Sequence, residues 1–359
     1  MRTKPRDFLS ASRFRGAPVR QISVVIPMRN EEQRIAGVLE EVASQDFSGE
    51  LEVFVADGGS TDASLEHVHA AAAQTGLPLS VVDNPDQLVP FGLNACIRAA
   101  RGNLIVRLDC KAHYPQHYLR RLAEAAEDSG AWNVGGVLVP EGQTAVERAV
   151  ASAMDSPFGG ISWTRQENAH TPVEVDTVYC GAFRREAFSR VGDFDTSLAE
   201  NHDEDFNLRL RKAGGCIVLD PGIRVSYRPP GSFRALFARY FAYGRWKVPL
   251  MLKHKHVLSA RSLAPLLFVG SLAILAVGGI WFGSLRWLLA AEAFIYLVAA
   301  VVFGVSSTRR RSEPSRRLPF VVAAFATFHF AYGIGMLWGI ARTVFPAQKT
   351  IRNSASVPS

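Results

Sequence analysis

Two carboxylates stand immediately beyond apolar, β-branched runs: Asp57 after LEVFVA (51 to 56) and Asp109 after NLIVRL (103 to 108). An acid at the end of a buried strand is fixed by the sheet behind it and open to a ligand in front. Asp57 opens DGGSTD, where the glycines permit a tight turn and Ser60, Thr61 and Asp62 can cap a following helix. The same carboxylate can instead accept hydrogen bonds from a base or ribose. Asp109 is followed by Lys111 and His113, an ammonium and an imidazole in quick succession. Further along, HDEDFNLRLRK (202 to 212) offers Asp203 and Asp205. In a helix these two lie about half a turn apart, so only one can face a given substrate. Acids at a helix start are also favoured by the dipole alone.

The elements that must position these groups alternate. ISVVIP (22 to 27) predicts a strand, followed by Asn30 as N-cap with Gln33 three residues on, then Ile35, Val38, Leu39 and Val42 at helical spacing. LEVFVA is the next strand and 63 to 74 the next helix; LSVV (79 to 82), a helix over 91 to 101 and NLIVRL complete the series. This βαβα order predicts an α/β, Rossmann-like domain with a mostly parallel sheet covered by helices on both faces.

Of the 359 residues 48% are hydrophobic, and the excess is concentrated. Residues 263–282 carry no charge, 287–305 only Glu292, and 318–341 only His329, and each run is long enough to cross a bilayer. Three transmembrane helices are expected, with Trp281, Trp287, Tyr332 and Trp338 near their ends. The formal charge is +7, and it is local: residues 1–20 hold six basic side chains against one acid, and the loop 306–317 holds five against one. The remainder is slightly acidic, which argues against a nucleic-acid partner. Short basic segments suit the cytoplasmic face of an inner membrane. The expected topology is multi-pass, with the large N-terminal region and the arginine loop in the cytoplasm and the C-terminus outside. Residues 1–20 lack the apolar stretch of a secretory signal and read as a disordered basic arm. Cys96, Cys110, Cys180 and Cys216 form no C-x-x-C pair and suit reduced thiols.

Between soluble and membrane parts, Phe233, Leu236, Phe237, Tyr240 and Phe241 make one apolar helical stripe, with Arg234, Arg239, Arg245, Lys247, Lys253 and Lys255 around it. Such a segment, 232–260, can lie in the bilayer interface or pack onto the sheet domain.

ISVVIPMRNEE, VADGGSTD, RLDCKAHYP, YCGAFRREAF and HDEDFNLRLRKAGG, in this order, resemble the motifs of the inverting family 2 glycosyltransferases, which have the GT-A nucleotide-sugar fold. The nearer likeness is to the membrane-bound succinoglycan-biosynthesis glucosyltransferase type. The resemblance covers about residues 20–250 and implies a GT-A domain over 21–231, three spans within 261–345, and a tail, 346–359. It implies that Pro27 and Glu31 line the nucleotide pocket, that Asp57 binds the base, and that Asp109 begins the D-x-D element holding Mg2+ or Mn2+ on the diphosphate. Asp203 matches the general base, Cys180, Gly181 and Ala182 a wall near sugar and acceptor, and Arg245 with Trp246 the R-W signature near the membrane.

The chemistry suits these residue types. Inverting transfer is one in-line displacement, which needs a base at the acceptor and a cationic centre at the leaving diphosphate, with no covalent nucleophile. The chain departs from the pattern in three places. Lys111 replaces the second acid of D-x-D, so either Asp109 holds the divalent cation, aided by His113, or the Lys111 ammonium partly substitutes for it. The metal is the preferred account, because one lysine is a weaker clamp than a dication. His113 has the plain alternative of a polar loop residue. His202 stands where the family often has Glu, and Ala242 in the position of the Gln of Q-x-x-R-W, which favours one sugar per visit over a processive synthase. The expected activity is hexose transfer from a UDP-sugar to a lipid-linked saccharide acceptor at the membrane, in exopolysaccharide or envelope glycan synthesis, alongside other polysaccharide-assembly proteins. Transfer to polyprenyl monophosphate and an inactive scaffold are the alternatives.

Overall fold

The computed structural model describes residues 16–160, 171–255 and 260–345. The tail and most of the proposed basic arm lie outside them. Residues 16–20 do not belong to a disordered arm: Gly16 N–H donates to the Glu127 carbonyl (2.6 Å), and the buried Arg184 donates to the carbonyl of Ala17 (3.1 Å). A buried guanidinium needs acceptors, and this segment supplies one.

The first half follows the sequence pattern. Strands β1 (Gln21–Met28), β2 (Glu50–Asp57), β3 (Leu79–Asp83) and β4 (Leu104–Arg107) alternate with helices α1 (Ile35–Ala43), α2 (Ser64–Thr75) and α3 (Val89–Ala99). After β4 come β5 (Ala112–His113), α4 (Tyr118–Ser129), β6 (Asn133–Pro140), α5 (Ala145–Met154), β7 (Val173–Glu174), β8 (Ala182–Arg184), α6 (Arg185–Val191), α7 (His202–Lys212) and β9 (Ile217–Tyr227). One mixed sheet runs β3-β2-β1-β4-β8-β6-β9-β5, with β7 also on β9. Its long registers are parallel, and the antiparallel pairings of β5, β7 and β8 cover two or three residues each. Ile22, Val24 and Ile26 point to one buried layer and Val25 to the other, because alternate residues of a strand face opposite sides.

Pro27 shapes the edge that matters. The β1–β4 ladder ends with Leu108 N–H donating to the Val25 carbonyl (3.0 Å). The next bond would need an N–H at position 27, which proline lacks. The strands therefore part there, and Asp109 follows at the opening.

Helix α8 (Phe233–His254) leads to α9 (Ala260–Gly278), α10 (Gly283–Arg310) and α11 (Leu318–Val344), the last preceded by a 3-10 turn over Ser315–Arg317. The last three are long and apolar enough to cross a membrane. The first expected span reaches only Gly278 rather than 282, and the second continues past 305 to Arg310, where cations at a helix C-terminus are favoured.

Helix α8 packs on α11 along part of the apolar stripe: Leu236 is buried, Tyr240 stacks on Phe328 (4.3 Å) and Phe233 on Phe320 (6.4 Å). Phe237 is 40% exposed and stays on the outer side. The helices approach backbone to backbone, since a Cβ at Gly335 would collide with the Phe241 carbonyl oxygen, and one at Gly244 with that of Tyr332. Gly335→Val is expected to destabilise the protein by about 1–3 kcal/mol, toward the upper end because the obstacle is backbone. An unchanged thermal midpoint in detergent would show that the contact contributes nothing.

Candidate active site

Loops at the carboxyl ends of β1 and β2 are tied together. Asp57 is 7% exposed and accepts from Ser60 N–H (3.2 Å) and Ser60 Oγ–H (2.6 Å). Asn30 does not cap α1, whose N-cap position is Arg34 with no side-chain bond. It takes a left-handed backbone conformation, and its Oδ1 accepts from Thr61 N–H (2.8 Å) while its own N–H donates to Ser60 Oγ (3.0 Å). Of the expected caps on α2, Asp62 alone contributes, accepting from Ser64 N–H (3.0 Å).

Beyond β4, Asp109 Oδ1 accepts from Lys111 N–H (3.1 Å), and the phenolic oxygen of Tyr114 accepts from Asp109 N–H (2.7 Å). Lys111 Nζ lies 3.3 Å from Glu31 Oε1, whose other oxygen holds Arg34 at 2.9 Å. Glu31 thus joins the β1 edge to the β4 edge. His113 is turned to Glu41, with Nδ1 2.8 Å from Oε1, and Tyr114 N–H donates to the other oxygen of Glu41. That pairing supports the plain reading of His113, a polar loop residue, over metal ligation. Among the described residues no three His, Cys, Asp or Glu side chains gather to hold a metal ion. The residues fit Mg2+ or Mn2+ in one form only: Asp109 as sole carboxylate, with donor phosphate oxygens and water completing the shell.

Asp203 and Asp205, the expected acceptor-side acids, stand at the start of α7 against α8. Asp205 is fully buried and held by Arg209 (2.8 Å), Lys253 (2.6 Å) and His254 (2.7 Å). Asp203, two residues earlier, is partly exposed and accepts only the Glu204 N–H (2.9 Å) among the described bonds. One acid of the pair is locked into the scaffold and the other is free for chemistry, as helical spacing requires. Lys247 Nζ grips Glu204 (2.5 Å), and Asn201 donates to the Tyr243 carbonyl (3.2 Å), so α8 fixes the start of α7.

Arg107, on β4 two residues before Asp109, connects the halves. Burial alone would lower its proton affinity, yet Cys180, Asp203 and Asp109 nearby raise it. Its guanidinium donates to Nε2 of His202 at 3.3 Å, the only direction open to an arginine. Burial first, and then the Arg107 charge, bring His202 down to about 4, so it is neutral at neutral pH. Glu200 is shifted upward by burial and by Asp203, against Arg239, Arg107 and Lys111. One carboxyl group therefore senses both the Lys111 edge and Asp203. Burial pushes Tyr243 of α8 up to about 12, with Arg239 opposing and Glu200, Asp203 and Asp109 adding to the rise.

Sequence reasoning missed Arg107, Glu200, Arg239, Tyr243 and Lys247. Only Arg107 left a signal, as the single charge inside an apolar run. Cys180, with a left-handed backbone, faces this field, and burial pushes its thiol up to about 12, so it stays neutral. Gly181 accepts from Arg107 N–H through its carbonyl (3.1 Å), which continues the β4–β8 pairing. Ala182 lies inside β8 opposite Val106 and is 1% exposed, a core position rather than a pocket wall. Arg245 is exposed, with its guanidinium 5.4 Å over the Trp246 ring.

The arginine loop returns to the soluble domain. Arg311 pairs with Asp155 (2.5 Å) and donates to the Pro140 carbonyl (2.8 Å).

A model of the family described as Glycosyl transferase family 2 matches residues 23–192. The chain is 28% identical over 318 residues to the succinoglycan biosynthesis protein ExoA of Rhizobium meliloti (strain 1021), covering 87% of this chain and 92% of that protein. It is 24% identical over 302 residues to the dolichyl N-acetyl-alpha-D-glucosaminyl phosphate 3-beta-D-2,3-diacetamido-2,3-dideoxy-beta-D-glucuronosyltransferase of Methanococcus voltae, covering 82% and 89%. Among solved structures, the mannosyltransferase PcManGT from Pyrobaculum calidifontis in complex with GDP-Man and Mn2+ is 20% identical and superposes with a TM-score of 0.58 over 92% of each chain. That last likeness is one of fold. The mixed sheet, the match over residues 23–192 and the relatives agree: the chain has a domain of GT-A fold with a region similar to the family 2 glycosyltransferases, joined to three helices able to span a membrane, and is a glycosyltransferase.

Proposed function

We propose that the protein moves a hexose from a UDP-sugar to a lipid-linked saccharide in exopolysaccharide or envelope glycan synthesis, with inversion, using Asp203 as general base. The carrying observation is Arg107, which stands two residues before Asp109 at the end of β4 and donates to Nε2 of His202, the neighbour of Asp203, and so supports a donor edge joined to an acceptor edge. On the donor side Pro27 opens the sheet edge and Asp57 would receive the base. With β1 between β2 and β4, the ends bearing Asp57 and Asp109 stand about 10 Å apart, room for a nucleoside between base and diphosphate. A divalent cation held by Asp109 would neutralise charge on the departing diphosphate. The acceptor hydroxyl oxygen forms the new bond to C1, its proton passes to Asp203, and the C1–oxygen bond breaks with its electron pair leaving on the nucleoside diphosphate.

The Methanococcus voltae relative, whose name gives a dolichyl N-acetyl-alpha-D-glucosaminyl phosphate as what it acts on, supports an acceptor carried on lipid, and the succinoglycan relative supports a place in exopolysaccharide synthesis. The α8–α11 contact supports delivery of that acceptor from the membrane to Asp203, with Arg245 and Trp246 on the same helix, and other assembly proteins can meet the remaining lipid-facing surface. The Arg311–Asp155 pair supports a multi-pass inner-membrane topology, with the arginine loop and the catalytic domain both cytoplasmic.

The test is to incubate membranes containing the protein with labelled UDP- and GDP-sugars and lipid extract. A labelled lipid-linked product from a UDP-sugar is expected. Equal transfer to a water-soluble acceptor, with no gain from lipid, would overturn the acceptor, and transfer from GDP-sugars alone would overturn the donor.

A further inference from the structure

We propose that Lys111 is a releasable clamp for the donor's diphosphate, exchanging Glu31 for phosphate oxygens on binding, so that a nucleoside diphosphate is already held before a divalent cation joins it at Asp109 for the transfer step. The inference rests on the reading above that the β1–β4 edge receives a nucleotide donor. Lys111 is available: its side chain is 38% exposed and its contact with Glu31 is loose, at 3.3 Å. A half-exposed ion pair of this kind is weak, so leaving it costs little. Glu31 is not stranded by the exchange, because Arg34 remains on its second oxygen at 2.9 Å. The donor edge therefore holds a spare cation together with a prearranged substitute partner for the acid it leaves.

The surrounding charges favour the same outcome. Arg107, two residues before Asp109 in the chain, donates to His202, the neighbour of Asp203, so a fixed cation already serves this edge before any ligand arrives. His202 accepts from Arg107 as a neutral imidazole and adds no negative charge. His113 is engaged by Glu41, and no three ligating side chains gather among the described residues. A lone carboxylate beside an ammonium is a weak trap for a dication, whereas an arriving diphosphate meets an ammonium that can move onto it. The Lys111 backbone is fixed for this role, since its N–H donates to Asp109 Oδ1 and its carbonyl accepts from Arg228 N–H (3.1 Å). Only the side chain needs to swing.

The test measures binding of UDP and GDP to the full-length protein in detergent by calorimetry, with excess EDTA or with Mn2+. The wild-type affinity for UDP is expected to change by less than about threefold between the two conditions, while Lys111→Ala in EDTA loses about tenfold or more, the worth of one charge-assisted hydrogen bond. Lys111→Asp, which restores a second acid, is expected to bind only when Mn2+ is present. Unchanged thermal midpoints for both variants establish that they are folded. Loss of wild-type binding in EDTA, or Lys111→Ala binding as tightly as wild type in EDTA, overturns the clamp while leaving the donor reading intact. Absence of binding by either nucleotide in either condition overturns the donor reading and the clamp with it.

Discussion

Asp203→Asn is expected to lower the turnover of sugar transfer by about 10²–10⁴-fold, the usual contribution of a positioned general base, the role proposed for Asp203. The substitution is close to isosteric. Asn Oδ1 can still accept the Glu204 N–H that Asp203 accepts at 2.9 Å, so the first turn of α7 is kept. Arg107 loses one neighbouring charge and retains Asp109. What disappears is the ability to take a proton from an alcohol as it attacks C1. The loss should appear in kcat with UDP affinity unchanged, the pattern of an interaction made only in the transition state. Steady-state transfer with lipid-linked acceptor and calorimetric UDP binding check the two halves separately. Activity retained in Asp203→Asn would point to an acceptor that is already an anion, such as a polyprenyl monophosphate, which needs no base.

The parts of the site legible in the sequence are those written in short-range patterns. LEVFVA and NLIVRL are apolar, β-branched and bounded by turn residues, a pattern that by itself puts Asp57 and Asp109 at strand ends. The three long apolar runs are equally plain, because about twenty residues with at most one acidic or basic side chain have few other uses. The second half of the sheet was not legible. Strand β8 has three residues and β5 and β7 two each, too short for alternation to register, and their pairing is set by distant partners. Asn30 was misread as a helix cap because its side chain bonds across to the next loop, a contact thirty-one residues away that no local pattern encodes. Arg107 was passed over for a related reason. Inside an apolar strand a lone arginine reads as an interruption, and its meaning depends on Asp203 and His202 arriving from another helix. The packing of α8 on α11 was half visible: the apolar stripe was there, but the glycines on α11 that admit a neighbouring backbone lie far along the chain.

Asp205→Ala, two residues from the proposed base, is expected to act on the other quantity, costing about 3–5 kcal/mol of stability, the range for removing one partner of a buried ion pair. The Asp205 carboxylate is fully buried and receives Arg209, Lys253 and His254 at 2.6 to 2.8 Å. Without it, three basic groups face one another across the α7–α8 junction with no counter-ion. Lys253 is 35% exposed and can turn outward, which places the expected loss toward the lower end of the range. The acid side of the stability profile carries the same information. Burial alone would raise the proton affinity of Asp205, but hydrogen bonds from Lys253, His254 and Arg209 bring it below that of an ordinary aspartate. Its contribution is therefore complete above the unfolded pKa and lost as pH falls through the lower folded one, so Asp205→Ala should flatten the decline of the thermal midpoint on acidification. Asp205 holds α7 against α8 and makes no contact assigned to the transfer itself, so at temperatures where the variant remains folded its turnover should fall far less than that of Asp203→Asn. The reverse outcome, a stable Asp205→Ala protein without activity beside an active Asp203→Asn, would exchange the roles of the two acids.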